Sequence, residues 1–500
     1  MRRALPVCLL VAAACGGGGS STCKAPFALE TDSGACAGVS EGKLCDRRFC
    51  VPADATCGTT FYVEAGASGD GTEDRPFGTL AQATAAEAGD CIAIAAGSYQ
   101  GAAIGPGVSL FGAGAAWVTL EGGKAAATLV VEGGAGARVR GVHVGGPAPG
   151  ISAEGASGLV IEQVAVEAAA EVGIALFDST AELRSVLVRG TTGEPGYGVY
   201  AQGGEITVRS SLSETNGGAG IVAIGGRLVA RETVVRDNSG YGVAVQGTSE
   251  TSTLEELLVI GNGRVGVFAS GAPVRLDSCE VASTRVVDGG ARLIEAQAGA
   301  DVEIAGDSRL HDSEKIGVFV DASRLLMEGG ECSSNEERGF WLQGIGLDQV
   351  IDGRSVMLDG VMVQDNGFVG VGGTEAAGLV IQAGVVGRTR LIPILDGASI
   401  VRAGDGLQAL NGTDLLAQGV LLEGNERAAA LFDASTGGAT ECIVDPRGGE
   451  KGLVIQAGVP ADGFSGNTDS SGTPVTPEIP AKPLENAATL LTTGGLLESL

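Results

Sequence analysis

Asn216 to Ser270 reads NGGAGIVAIGGRLVARETVVRDNSGYGVAVQGTSETSTLEELLVIGNGRVGVFAS, and one unit occurs in it three times. An asparagine is followed four residues later by a glycine, then by an apolar residue, any residue and a second apolar residue: Asn216 with Gly220, Asn238 with Gly242, Asn262 with Gly266. The unit recurs outward from this stretch. Ser313 precedes Gly317, Asn335 precedes Gly339, Asn366 precedes Gly370, and Asn425 precedes Ala429 in the glycine's place, while Gly150, Gly173 and Gly198 are earlier anchors without the asparagine. The steps from Gly150 to Gly266 are 23, 25, 22, 22 and 24 residues, and the 51 residues to Gly317 hold two turns with a weaker anchor near Arg292. A steady period of 22 to 25 residues predicts a solenoid, in which each repeat buries its apolar face against its neighbours.

Leucine-rich repeats share this period, but their leucine and asparagine spacing is missing and no segment sustains an apolar 3.6-residue pattern. Each period holds short β-rich runs such as Thr207 to Leu212, Leu228 to Val235 and Gly242 to Val245, separated by glycine and asparagine turns. Three short strands per coil, stacked in parallel, satisfy this. The chain resembles the right-handed parallel β-helix, the superfold of pectate lyases and many bacterial surface proteins. The expected class is therefore all-β. The asparagines Asn216, Asn238, Asn262, Asn335, Asn366 and Asn425 are expected to form a structural ladder, each taking the left-handed conformation of a tight turn and bonding through its amide from coil to coil. Seven residues before the anchors lie Val235, Val259, Leu310, Cys332, Val363 and Leu422, one inward row in which Cys332 is a buried free thiol.

Residues 61 to 99 open with Phe61-Tyr62-Val63-Glu64-Ala65-Gly66 and continue through Gly71-Thr72, Pro76-Phe77, Thr79-Leu80, Ala83, Gly89-Asp90 and Gly97-Ser98-Tyr99. This is similar to the segment of undefined function that opens many secreted bacterial β-helix proteins, some polysaccharide lyases among them. Thr79 is expected to N-cap a helix over Leu80 to Ala88, ended by Gly89, that covers the open end of the solenoid.

Ahead of this cap, Arg2 and Arg3 precede the apolar stretch Ala4 to Ala14 and then Cys15, the pattern of a secretory signal peptide. Cysteine after a small-residue run resembles the lipobox of bacterial lipoproteins, with Ala12 where that motif usually has leucine. The resemblance implies lipidation of Cys15, with Gly16 to Ser21 as tether; plain cleavage after Ala14 is the alternative. Five cysteines follow, Cys23, Cys36, Cys45, Cys50 and Cys57, with Cys91 as a possible sixth partner. They predict a small disulfide-stapled module, and six cysteines permit 15 pairings. The two histidines, His143 and His311, lie far from them, so no metal and no cofactor is expected. The resulting division is 1–15 signal peptide, 16–60 tether and cysteine-rich module, 61–107 cap, 108–458 β-helix and 459–500 a Pro/Gly/Ser-rich tail in which Leu484 to Leu500 dock as a C-terminal cap.

With 60 acidic against 32 basic residues the net charge is −28, which repels nucleic acid, anionic lipid and polyanionic glycans. The membrane is approached through the lipid only, because no later stretch reaches about 18 apolar residues. The expected location is the outer membrane or cell surface of a Gram-negative bacterium, or the medium if Cys15 carries no lipid. The expected partner is a neutral polysaccharide or a surface protein, and the oligomeric state is open.

The residues two after each anchor face outward: Ser152, Ala175, Tyr200, Val222, Ala244, Phe268, Phe319, Trp341 and Gly372. The resemblance implies that a lyase of this superfold would carry calcium-binding acids here, with a lysine or arginine as base. In this row and the next, Asp321 is the one carboxylate, so no catalytic residue is assigned; Lys315, or Arg388 and Arg390, would serve as base if cleavage occurs. His311 lacks the paired aspartates of the related hydrolases, and Asn467-Thr468-Asp469 imitates their motif only within the tail. The aromatic row stands out in a chain with 2 Trp, 5 Tyr and 12 Phe. Tyr200, Phe268, Phe319 and Trp341, flanked by Gln202, Gln246, Asp321 and Gln343, are the glycan-binding candidates. Three functions stay open: non-catalytic adhesion or neutral-glycan binding, polysaccharide cleavage, and a passive structural role.

Overall fold

A computed structural model describes residues 48–83, 85–122, 127–396, 399–445, 451–480 and 484. Cys15, Cys23, Cys36 and Cys45 lie outside them, as do residues 485–500. Three parallel sheets run the length of the chain. Sheet A has sixteen strands from Thr60–Val63 to Thr436–Thr440, and sheet B fifteen from Gly97–Gln100 to Ile443–Asp445. Sheet C runs from Ala102–Ile104 to Lys451–Gln456. Successive strands pass from sheet to sheet and every third strand pairs with its predecessor, so each coil contributes one strand to each sheet. The exception is a hairpin of Ile392–Asp396 against Ser399–Ala403, paired antiparallel, which is inserted in one late coil beside sheet C.

The expected inward row is buried throughout, with Val235, Leu310, Cys332 and Leu422 at 0% exposure. Cys332, Cys279 and Cys442 are buried free thiols; burial pushes the Cys279 thiol up to about 11 and Cys332 higher still, so none is a thiolate near neutral pH.

The asparagine ladder is present, and it is buried. Asn216 Nδ2 donates to Asn238 Oδ1 at 2.8 Å, and Asn238 Nδ2 donates to Asn262 Oδ1 at 2.9 Å. Asn335 Nδ2 donates to Asn366 Oδ1 at 2.8 Å, while Asn425 Oδ1 accepts the backbone N–H of Thr389. The backbone departs from expectation in one respect. The left-handed residue is not the asparagine but the one before it: Thr215 at φ 52°, Asp237 at 54°, Ser334 at 57° and Asp365 at 57°. That residue turns the corner and thereby points the following asparagine inward.

The anchor glycines now have a cause. A Cβ on Gly220 would lie 2.7 Å from Asn238 Nδ2 and 2.4 Å from Val235 Cγ1, both on the next coil. Gly242, Gly317, Gly339 and Gly406 meet the next coil's asparagine in the same way. From Gly150 onward the two coils whose anchor is not glycine, at Leu293 and Ala429, precede coils without that asparagine: the first is followed by Ser313 and the second by no asparagine at all.

Among the described residues the expected N-terminal helix does not form. Leu80–Ala83 make a single 3₁₀ turn, whose first donors, the N–H groups of Gly78 and Thr79, are taken by Gln82 Oε1. Asp90 then accepts from the N–H groups of Glu87 and Thr59, which draws the chain into the next strand before a helix can extend. Leu80 and Ala83 still pack on the first coil's core with Val63, so the lid is a turn rather than a helix. A disulfide joins Cys57 to Cys91 at the start of the second strand of sheet A and ties the segment just before the first strand to the solenoid. At the far end the tail does not stand free. Ser465 and Thr468 bridge to Thr440 and Ile443, and buried Asn467 accepts from the N–H of Cys442, so the sequence resembling a hydrolase motif closes the last coil. Leu484 docks on Ala428, Leu431 and Val454.

Replacing Asn238 by Val strands the donors of Asn216 in a buried row, and a loss of roughly 1–3 kcal/mol is expected in chemical denaturation. Wild-type stability of Asn238→Val would contradict the ladder.

Candidate functional site on the outer face of sheet C

The strand register aligns Tyr200, Val222, Ala244, Phe268, Glu295, Phe319, Trp341, Gly372 and Gln408 across consecutive coils. The outward row read from the sequence is therefore in place, with two members the sequence reading missed. Glu295 was hidden because its coil has Leu293 in place of an anchor glycine. Gln408 was hidden because an insertion lengthens the step before Gly406. Three residues earlier on each strand runs a parallel row that includes Tyr241, Val265, Arg292, Ile316, Arg338, Val369 and Asp405.

Facing outward does not leave these rings exposed. Trp341 is 1% exposed, Phe268 5% and Phe319 9%. Trp341 packs with Ile316, Phe319, Phe368, Val369, Ala403 and Leu410, and its ring reaches over Gly372 of the next coil, where a Cβ would lie 2.8 Å from Trp341 Cζ3. Phe268 packs with Val222, Ala244 and Val265. These three side chains form a second apolar layer outside the sheet, which corrects the expectation of rings open to a sugar. Tyr200 differs. It is half-buried, its ring stacks 5.8 Å from Tyr197 at an interplanar angle of 15° and lies 5.8 Å from Phe177, and its hydroxyl donates to Gln202 Oε1 at 3.0 Å. Gln202 is exposed, and Gln246, Asp321 and Gln343 are half-buried.

The same face holds buried polar groups. Arg292 pairs with Glu295 at 2.7 Å and lies over the Phe319 ring. Arg427 pairs with Asp405, which is fully buried and also accepts from Gln408. Arg338 is enclosed between the Trp341 and Phe368 rings. The suggested base residues do not converge on Asp321: Arg388 pairs with Asp365, and Arg390 donates to the carbonyl of Asn335. His311 lies on sheet B between Glu280 and Asp312, whose carboxylates hold its pKa above the usual imidazole range against the opposing effect of burial. Among the described residues no group of three or more His, Cys, Asp or Glu is arranged to hold a metal ion, and no helix is long and apolar enough to cross a membrane.

Residues 127–281 match the family model described as right handed beta helix region. The solenoid is a right-handed parallel β-helix. Among solved structures the chain is similar to the A-module of the mannuronan C-5 epimerase AlgE4 of Azotobacter vinelandii, at 16% identity and a TM-score of 0.34, over 85% of this chain and 100% of that one. It is also similar to the AlgE6 A-module of the same organism, at 14% identity and a TM-score of 0.31, over 76% of this chain and 90% of that one. A third is the catalytic domain of a GH87 α-1,3-glucanase in complex with nigerose, at 10% identity and a TM-score of 0.33, over 87% of this chain and 69% of that one. No curated protein matches in sequence.

Because the Trp341 ring is core-like, Trp341→Ala is expected to destabilise the β-helix by roughly 3–5 kcal/mol, the usual range for removing a large buried aromatic. Thermal melting of the variant tests this, and an unchanged melting temperature would return Trp341 to the surface.

Proposed function

We propose that this β-helix binds a neutral saccharide without cleaving it, through the half-buried rings of Phe177, Tyr197 and Tyr200 on neighbouring coils. The observation that carries the reading is the Tyr197–Tyr200 pair, near-parallel rings beside the exposed amide of Gln202. Sugars stack on such faces while an adjacent amide bonds their hydroxyls. The candidate surface thus moves from the Trp341 end of the row to its Tyr200 end. The net charge of −28 favours an uncharged ligand over a polyanion. Cleavage finds less support. Glu295 and Asp405 stand four coils apart on sheet C, about 19 Å at the parallel-strand spacing, beyond the roughly 9.5 Å limit of a hydrolase carboxyl pair. Each acid is also neutralised by its own arginine.

Tyr200→Ala is expected to weaken binding to a neutral oligosaccharide by about 1–3 kcal/mol, by analogy with bases stacking on aromatic side chains. Its melting temperature should change little. A glycan array on which the wild type retains no neutral glycan would sink the reading.

We further propose export and lipid anchoring through Cys15, on the small-residue run before it and the glycine tether after it. Cys15→Ser is expected to move the protein from the membrane to the soluble fraction or to leave it unprocessed; unchanged membrane fractionation would defeat the anchor.

A further inference from the structure

Arg338 is 5% exposed and has no carboxylate within salt-bridge distance among the described residues. Its Nε is buried without a hydrogen-bond acceptor. Its two neighbours on this face are treated differently: Arg292 has Glu295, and Arg427 has Asp405. A buried cation without a counter-ion among the described residues is costly in a chain with 60 acidic residues. The cost is visible in its acidity, since burial and the nearby Arg292 pull the pKa of Arg338 down to about 10 although Glu337 opposes them.

Two aromatic rings stand against the guanidinium. Its Cζ lies 4.5 Å from the Trp341 ring centroid and 5.2 Å from that of Phe368. Phe368 reaches this position only with φ at +55°, a conformation that a bulky side chain rarely adopts and that persists where surrounding structure enforces it. Gly372 leaves the room the Trp341 ring occupies. Two aromatic rings lie against the charge, its buried Nε–H has no acceptor among the described residues, and a planar fork of donors matches a carboxylate in bidentate fashion.

We propose that Arg338 is the receptor for a single carboxylate group of a ligand, held edge-on between the Trp341 and Phe368 rings. The site is six coils from Tyr200 along sheet C and does not depend on saccharide binding there.

The chain supplies its own reporter, because its tryptophans are Trp117, which is 43% exposed, and Trp341, which flanks the guanidinium. In a Trp117→Phe background Trp341 is the one tryptophan, and its indole can be excited apart from the five tyrosines. Sodium acetate and sodium benzoate, titrated against sodium chloride at constant ionic strength, are expected to change that emission saturably. In Arg338→Lys, which keeps the charge but loses the fork, the apparent affinity should fall tenfold or more. In Arg338→Met the response should vanish, with circular dichroism confirming the fold. A response confined to inorganic phosphate, a response to none of these anions beyond chloride, or one that survives in folded Arg338→Met overturns the assignment.

Discussion

Adjacent coils of this β-helix lie one strand spacing apart, about 4.8 Å, and at one corner that distance must hold both a backbone and the amide of a buried asparagine. Gly220, Gly242 and Gly339 yield the room by having no side chain, and the asparagine of the next coil fills it with bonds to the coil on either side. The ladder and the anchor glycine are therefore one device. Once the corner is fixed, the strand that follows the glycine has a set register in sheet C, and every side chain on its two faces is assigned. The position of Trp341 above Gly372, and of Arg338 between two rings, follows from it.

Much of this was legible in the sequence because a strict period converts spacing into geometry. The anchor glycines, the inward row of Val235 to Leu422 and the outward register of Tyr200 to Trp341 are where the repeat puts them. Legibility failed where the corner used other chemistry. Thr191, Thr284 and Thr389 occupy ladder positions, yet threonine carries no amide and gives no signal of the kind Asn216 does. The coil of Thr284 also has Leu293 in place of an anchor glycine, and Glu295 went unseen. The capping turn failed for another reason: Leu80, Ala83 and Ala86 have helical spacing, but the bonds of Gln82 and Asp90 compete for the same backbone donors.

Burial of the aromatic row was not readable either. Register says which face of a sheet a ring leaves from, not what lies over it. That depends on residues three positions away on the same strand, such as Arg338, and on a neighbour on the next coil, Phe368, whose unusual backbone nothing in the sequence announces. At the Tyr200 end the corresponding neighbours are smaller, Ala219 and Val222, and the rings there stay half open.

The hairpin of Ile392–Asp396 and Ser399–Ala403 bears on how such a chain changes over time. It enters after Thr389 and returns before Gly406, and sheet C resumes across it with Val371 opposite Leu407 and Gly372 opposite Gln408. The corner thus admits extra chain without shifting any coil that follows. A β-helix with this property can acquire new surface at its margins by lengthening one turn at a time, while selection on the stacked interior continues undisturbed.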